Sequence, residues 1–331
     1  MQLAIRALAH YLPDTEVAVA DLPEAAGLTQ AEAEVFHNLG IERIRADDGL
    51  SATDLAVRAA GRALDRAGLA ASDVDALIVV ESRTPEALLS SETTRVQSLL
   101  GAERAIALGV GGLGCVSLTP ALMTAAGLLA ADPAVENVLV VHGSKPATPR
   151  RYRHPVTISG DGGQAIVVGR TGRLRVLDMV QQSNGAYWDL FGVDFRDRPT
   201  AAWREECTDL PTYSLRLAVE TRNRLRALRD VLGGRNDLTD VDRTVCHNLS
   251  TGSLRFVEQV LDEPVARACH ENLRDHGHLG PIDVLFNLGA AIESGDVAEG
   301  RRAVLVNASP VAAWSLLLVE NGTSPATEYH L

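Results

Sequence analysis

The chain has 331 residues, 46% of them hydrophobic, 22% charged and only 4% aromatic, with a formal net charge of −12. That length suggests two domains, or one fold built from two halves. The composition argues against wholesale disorder, and the acidic balance against a nucleic-acid partner, whose phosphates need a basic footprint. The first residues, MQLAIRALAHYLPDTEV, lack a basic leader and break at Pro13, so no signal peptide is expected. We read no apolar run reaching the 18 or so residues of a membrane span. Four cysteines, at Cys115, Cys207, Cys246 and Cys269, are too few for a disulfide framework in so long a chain. The expectation is a cytoplasmic protein with free thiols and no membrane partner.

In chain order, the first expected helix covers 51–67 (SATDLAVRAAGRALDRA), with Leu55, Ala59, Ala63 and Ala67 on one stripe and Arg58, Arg62 and Arg66 on another. Ser51 can cap it, Asp54 stands three residues on, and Gly68 can close it. Short apolar runs at 75–81 (DALIVVE), 105–110, 137–141 and 165–168 read as buried strands, and 174–179, 244–246, 303–306 and 315–319 continue the series. Further helices fit 92–100, 115–131, 211–232 and 281–294. Strands apolar throughout, alternating with helices, indicate an α/β fold with sheets covered on both faces. The order of elements repeats in the two halves, which points to an internal duplication with halves at 1–170 and 171–331.

Cys115 stands in GVGGLGCVSLTPALMTAAGLLAA, behind Gly109, Gly111, Gly112 and Gly114 and at the start of an apolar helix. Glycines permit a sharp strand-to-helix turn and close approach of a ligand to the backbone. A thiol at a helix N-terminus feels the positive end of the macrodipole, which favours thiolate. The free N–H groups there can hold an oxyanion. A free cysteine is more often a small buried hydrophobe; that reading stands for Cys207, Cys246 and Cys269, and the glycine bracket reverses it for Cys115. No CxxC, HExxH or phosphate-binding Gly-Lys-Ser/Thr loop occurs, so neither a metal site nor phosphoryl transfer is expected.

With these residues in view, the chain resembles the ketoacyl-acyl-carrier-protein synthase III group of the thiolase superfamily. The matching stretches are NLGIERIR at 38–45, the 48–69 helix with ASDVDALIVVES after it, the cysteine block at 109–120, SGDGGQAIVVG at 159–169 and the last strand pair. The resemblance implies a thiolase fold of five layers, αβαβα, built from two duplicated halves. It also implies a homodimer and an acyl thioester formed on Cys115. The family's histidine falls at His247, in Cys246–His247–Asn248–Leu249. Where its asparagine opens Gly-Asn-Thr-Ser, this chain reads Gly277–His278–Leu279–Gly280–Pro281–Ile282–Asp283.

That departure looks like a divergent Cys-His-Asp branch of secondary metabolism, which transfers acyl groups to oxygen, nitrogen or thiol acceptors or selects polyketide starter units. A decarboxylative condensation needs donors for an enolate, whereas transfer to a hydroxyl needs a general base. His278 would supply the base and Asp283 would fix its tautomer. Five residues on a regular helix turn about 140°, so the pair needs the Gly280–Pro281 turn. Pro281 is expected at the first helical position, with His278 on the loop and Asp283 in the first turn. His247 would polarise the acyl carbonyl or remain as a structural relic. The family's glycine run before the last strand is replaced by Asn307–Ala308–Ser309–Pro310–Val311, and Pro310 has no N–H to give an oxyanion.

The implied donor is a coenzyme A or phosphopantetheine thioester, with an acyl carrier protein slightly preferred, and no tightly bound cofactor. Its phosphate or acidic carrier would meet a basic patch at 145–154 (KPATPRRYRH), carrying Arg150, Arg151 and Arg153, with Arg43 and Arg45 as second candidates. Gly252 stands where the family often has arginine, and Arg255 would substitute. The segment 84–91 (TPEALLSS) would line the acyl pocket across the dimer interface, with Leu88 and Leu89 limiting chain length. The aromatic-rich segment 181–204 would cap the side of a small-molecule acceptor. The leading expectation is an acyltransferase; the alternatives are a decarboxylative condensing or starter-unit synthase and a non-catalytic partner subunit.

Overall fold

The computed structural model describes residues 3–81 and 84–322; the outer ends of the two expected halves, 1–2 and 323–331, lie outside the described residues. Up to residue 169 the strands are β1 (Leu3–Tyr11), β2 (Glu16–Ala18), β3 (Arg43–Arg45), β4 (Ala76–Val80), β5 (Ile106–Val110), β6 (Val138–Ser144), β7 (Tyr152–Arg153), β8 (Thr157–Ile158) and β9 (Gly162–Gly169). The remainder adds β10 (Leu174–Ser183), β11 (Phe191–Val193), β12 (Glu205–Cys207), β13 (Val241–Cys246), β14 (Arg302–Ser309) and β15 (Ala313–Asn321). The helices are α1 (Gln30–Asn38), α2 (Ala52–Ala67), α3 (Glu92–Leu100), α4 (Leu118–Ala131), α5 (Ala218–Arg235), α6 (Thr251–Leu261), α7 (Arg267–His276) and α8 (Asp283–Glu293).

Nine strands join in the order β13-β14-β15-β10-β1-β9-β6-β4-β5, the two halves meeting where β1 pairs with β10. Each half repeats one plan. In the first, β5-β4-β6-β9-β1 lie side by side; in the second, β13-β14-β15-β10 follow the same order, and Val265 takes the place of the outer strand through a parallel bridge to Thr244. Helices α2 and α3 cover the outer face of the first half, and α5 and α6 that of the second. Between the halves, α4 touches β4, β6 and β10, and α8 touches β13, β14 and β1. The result is αβαβα, with two core helices shared by both sheets.

The local signals explain these elements. Ser51 and Asp54 form a reciprocal capping box on α2, and Gly68 closes it at φ +64°. Arg62 and Arg66, on the polar stripe, donate to the carbonyls of His10 and Leu8, tying α2 to β1. The alanine stripe lets α2 lie against the sheet so closely that a Cβ on Gly143 or Gly163 would run into the Ala52 or Leu55 carbonyl. Backbone cannot retreat there as a flexible side chain could. Gly163→Ala is therefore expected to destabilise the fold by about 3 kcal/mol, read as a lower urea midpoint at unchanged slope; an unchanged midpoint would mean that α2 sits further from the sheet.

Three boundaries differ from expectation. The helix expected from Cys115 opens as a 3₁₀ turn, Gly114–Val116, and becomes α-helical at Leu118. The helix expected over 211–232 opens as a wide π turn over Thr212–Leu217. Pro281 lies in the turn before α8 rather than at its first position, because the chain turns through Ile282 and helical geometry begins at Asp283. The expected absence of a span-length apolar run also needs correction. Residues 114–131 form 18 helical residues apolar enough to cross a membrane by length and composition. The physical reason is the place of α4 between two sheets, where Leu118, Ala121, Leu122 and Ala125 are fully buried.

Candidate active site

The first turn of α4 and the loop before α8 meet between the halves. Gly112 (φ +88°) and Gly114 (φ +54°) make the turn that presents Cys115, and a Cβ on Gly114 would lie 2.5 Å from Ser309 Oγ. On the other side, the His278 N–H donates to the Ile158 carbonyl at 2.9 Å and its carbonyl accepts from the Gly160 N–H at 3.0 Å, which pins the loop to the first half. His278 Nε2 comes within 3.3 Å of Cys115 Sγ, and His278 Nδ1 within 2.5 Å of Asp283 Oδ2. Asp283 is wholly buried and also accepts from the backbone N–H groups of Asn248 (2.9 Å) and Leu279 (2.8 Å). Its orientation, and hence that of the imidazole, is held from three directions.

Burial opposes charge on both reacting groups, yet their mutual attraction outweighs it. The Cys115 thiol is held below its ordinary value by the His278 cation and its hydrogen bond. His278 is raised by the Cys115 thiolate and the Asp283 carboxylate. Each group thus favours the charged form of the other, the arrangement that suits a thiolate–imidazolium pair. Such a sulfur is a nucleophile, and the ring beside it can give a proton or, once neutral, take one.

His247 lies close by in a different state. Its Nδ1 is 3.2 Å from the Val306 carbonyl, which can only accept, so Nδ1 carries the hydrogen. Burial, with the His278 cation next, lowers its pKa to about 4, and its buried Nε2 has no partner among the described residues. A neutral ring in this tautomer has no proton at Nε2 to offer an oxyanion. Cys115 lies in a helix's opening turn, where N–H groups lack intrahelical acceptors. Of the residues after β14, Pro310 has no N–H, and the Val311 N–H makes only a 3.4 Å contact with Ser309 Oγ. All three line the same cavity of about 360 Å³ as Cys115 and His278.

The sequence profile of the 3-oxoacyl-[acyl-carrier-protein] synthase III family matches residues 112–185, the stretch that begins at the cysteine turn. The β-ketoacyl-[acyl-carrier-protein] synthase III of Cereibacter sphaeroides is 27% identical over 330 residues, covering 96% of this chain and 99% of the relative. Among solved structures, ChlB3, described as an acyltransferase, superposes with a TM-score of 0.81 at 24% identity, over 97% of this chain and 98% of its own. The 3-oxoacyl-(acyl carrier protein) synthase III of Pseudomonas aeruginosa superposes with a TM-score of 0.78 at 21% identity, over 98% and 100%. The chain resembles the ketoacyl synthase III proteins along nearly its whole length and shares their fold. Its fold is the thiolase fold, as the layers above describe.

Three of the four arginines expected in a basic patch have carboxylate partners. Arg151 forms a two-pronged pair with the buried Asp161, at 2.7 and 3.1 Å. Arg153 forms another with Glu205, at 2.6 and 2.6 Å, and lines the catalytic cavity instead of the surface. Arg43 pairs with Asp275 and, at 3.7 Å, with Glu16. Three of the four arginines are thus neutralised by carboxylates that the fold brings from elsewhere in the chain. Arg150 instead lines, with His154 and Arg204, a cavity of about 300 Å³ that shares Glu205 with the catalytic one. Sequence reasoning missed His142, which lines the catalytic cavity from the end of β6. The one available signal was a histidine directly after three valines and a leucine in VLVVHGS.

Proposed function

We propose that this protein is an acyltransferase that carries a short acyl group, malonyl or another, from a coenzyme A or carrier-protein thioester, through Cys115, to a hydroxyl acceptor in secondary metabolism. The observation that carries this reading is the line Cys115–His278–Asp283. It puts an imidazole with a fixed tautomer where a condensing enzyme of the family would hold a neutral amide.

The steps follow from the pair's charges. The Cys115 thiolate attacks the donor carbonyl, and the oxyanion is met by the Cys115 N–H and by that of Val311. As the carbon–sulfur bond of the donor breaks, the His278 proton goes to the departing thiol. Neutral His278, its Nδ1–H held by Asp283, then takes the acceptor's hydroxyl proton at Nε2 while the oxygen attacks the acyl-Cys115 carbonyl. The bond to sulfur breaks, and the thiolate and imidazolium are restored. Arg150, Arg204 and His154 are the groups we assign to the donor's phosphate. The exposure of Leu88 and Leu89, together with the place of β5 at the end of the sheet, supports a homodimer.

The relatives named synthase III make decarboxylative condensation the competing reading. It needs donors facing an enolate, and the His247 tautomer supplies none at Nε2. Intact-protein mass spectrometry with short acyl and malonyl thioesters separates the two. We expect one adduct on Cys115, absent in Cys115→Ala, with malonyl retained whole. Loss of carbon dioxide on the enzyme would favour condensation, and no adduct from either coenzyme A or carrier-protein donors would overturn the enzyme reading.

A further inference from the structure

One ring in the catalytic cavity has no part in the steps above. His142 stands two residues before the end of β6, a strand buried along its whole length, and is itself 3% exposed. A buried imidazole needs an account of both nitrogens. Nδ1 lies 2.7 Å from the Val80 carbonyl, which accepts, so Nδ1 bears the hydrogen. Burial pushes the ring's pKa down to about 4 and keeps it neutral, with the His278 cation acting in the same direction. Nε2 is therefore a bare acceptor, and among the described residues nothing donates to it.

The surroundings say what it faces. A Cβ on Gly280 would lie 2.7 Å from Nε2 and 3.6 Å from Ser144 Oγ, so the glycine leaves that side of the ring open. Gly280, Ser144, Ser159 and the Arg153–Glu205 pair share the cavity wall with His142, beside Cys115 and His278. These residues make that part of the wall polar, while Pro146, Ala147 and Val311 line other parts of the cavity. An all-carbon chain seated there would leave Nε2 desolvated and unmatched, whereas a hydroxyl would satisfy it. Sites built to bond a substrate hydroxyl discriminate strongly against the analogue that lacks it.

We infer that His142 is a specificity-determining residue, and that the acyl group held on Cys115 is a short chain bearing a hydroxyl whose hydrogen is donated to His142 Nε2. This rests on the acyl-enzyme reading above and adds the substrate class.

Acylation of Cys115 without any acceptor isolates the acyl site. Butyryl-, 2-hydroxybutyryl- and 3-hydroxybutyryl-pantetheine, each hydroxyacyl enantiomer separately, would be compared by intact mass over time. One hydroxyacyl thioester is expected to react at least about 10-fold faster than butyryl. His142→Val should abolish that preference, read as the ratio of hydroxyacyl to butyryl rates within the same variant, and His142→Gln, which keeps an acceptor, should retain part of it. Equal rates in the wild-type protein, or a preference that survives His142→Val, would overturn the inference and leave the acyl-enzyme intact. Absence of adducts from all thioesters would overturn the acyl-enzyme reading as well. The wild-type comparison decides even if the valine variant folds poorly.

Discussion

Asp283→Asn is expected to lower acyl-transfer turnover by about 10³–10⁴-fold while Cys115 still becomes acylated. The carboxylate accepts three hydrogen bonds, from His278 Nδ1 and from the Asn248 and Leu279 N–H groups. An amide has one oxygen for those three donors, and its NH₂ must face at least one of them. If it faces His278, Nδ1 becomes the acceptor and the ring's hydrogen moves to Nε2, where a base is needed. Single-turnover transfer from preformed acyl-enzyme to an alcohol reads this loss directly. Turnover within 10-fold of wild type, in a variant that melts normally, would remove Asp283 from the mechanism.

His278→Asn is expected to be more severe, with transfer reduced by about 10⁴-fold or more. It removes the base and also the cation that holds the thiolate. In the wild-type protein the Cys115 pKa is depressed, so the reactive thiolate is present above that value and is lost as pH falls through it. His278, raised by the thiolate and Asp283, keeps its proton to well above neutral and loses it only at alkaline pH. Alkylation of Cys115 by iodoacetamide should accordingly titrate below the range of an ordinary thiol. In the variant, burial acts on the thiol against the Arg153 cation alone, and the same titration should move toward alkaline pH. A neutral-pH alkylation rate that the substitution leaves unchanged would mean the helix terminus alone ionises Cys115.

Much of this was legible because the informative signals are local. The Ser51 cap, the Gly68 stop and the glycines before Cys115 each act within a few residues, and each is found where the residues indicated. His278 and Asp283 were readable for the same reason, although which residue opens α8 was not, since Pro281 permits either boundary. The partners of the arginines were not legible, because charge is not a local property. Nothing in KPATPRRYRH says that Asp161 and Glu205 will fold against Arg151 and Arg153. His142 was invisible for a related reason: the strand pattern says that it is buried, and only the packing of Val80 and Gly280 says which nitrogen is left bare.

The contact between Cys115 and His278 also bears on the order in which substrates can act. While the sulfur is free, its charge keeps the ring protonated, and an alcohol entering early finds no base. When the sulfur is capped by an acyl group that charge is gone, and the ring's affinity for a proton falls. A ping-pong sequence then needs no door and no moving loop to enforce it. In the proposed reaction the donor comes first because its arrival creates the base that the acceptor requires, and the same dependence would keep water from being activated in the empty enzyme.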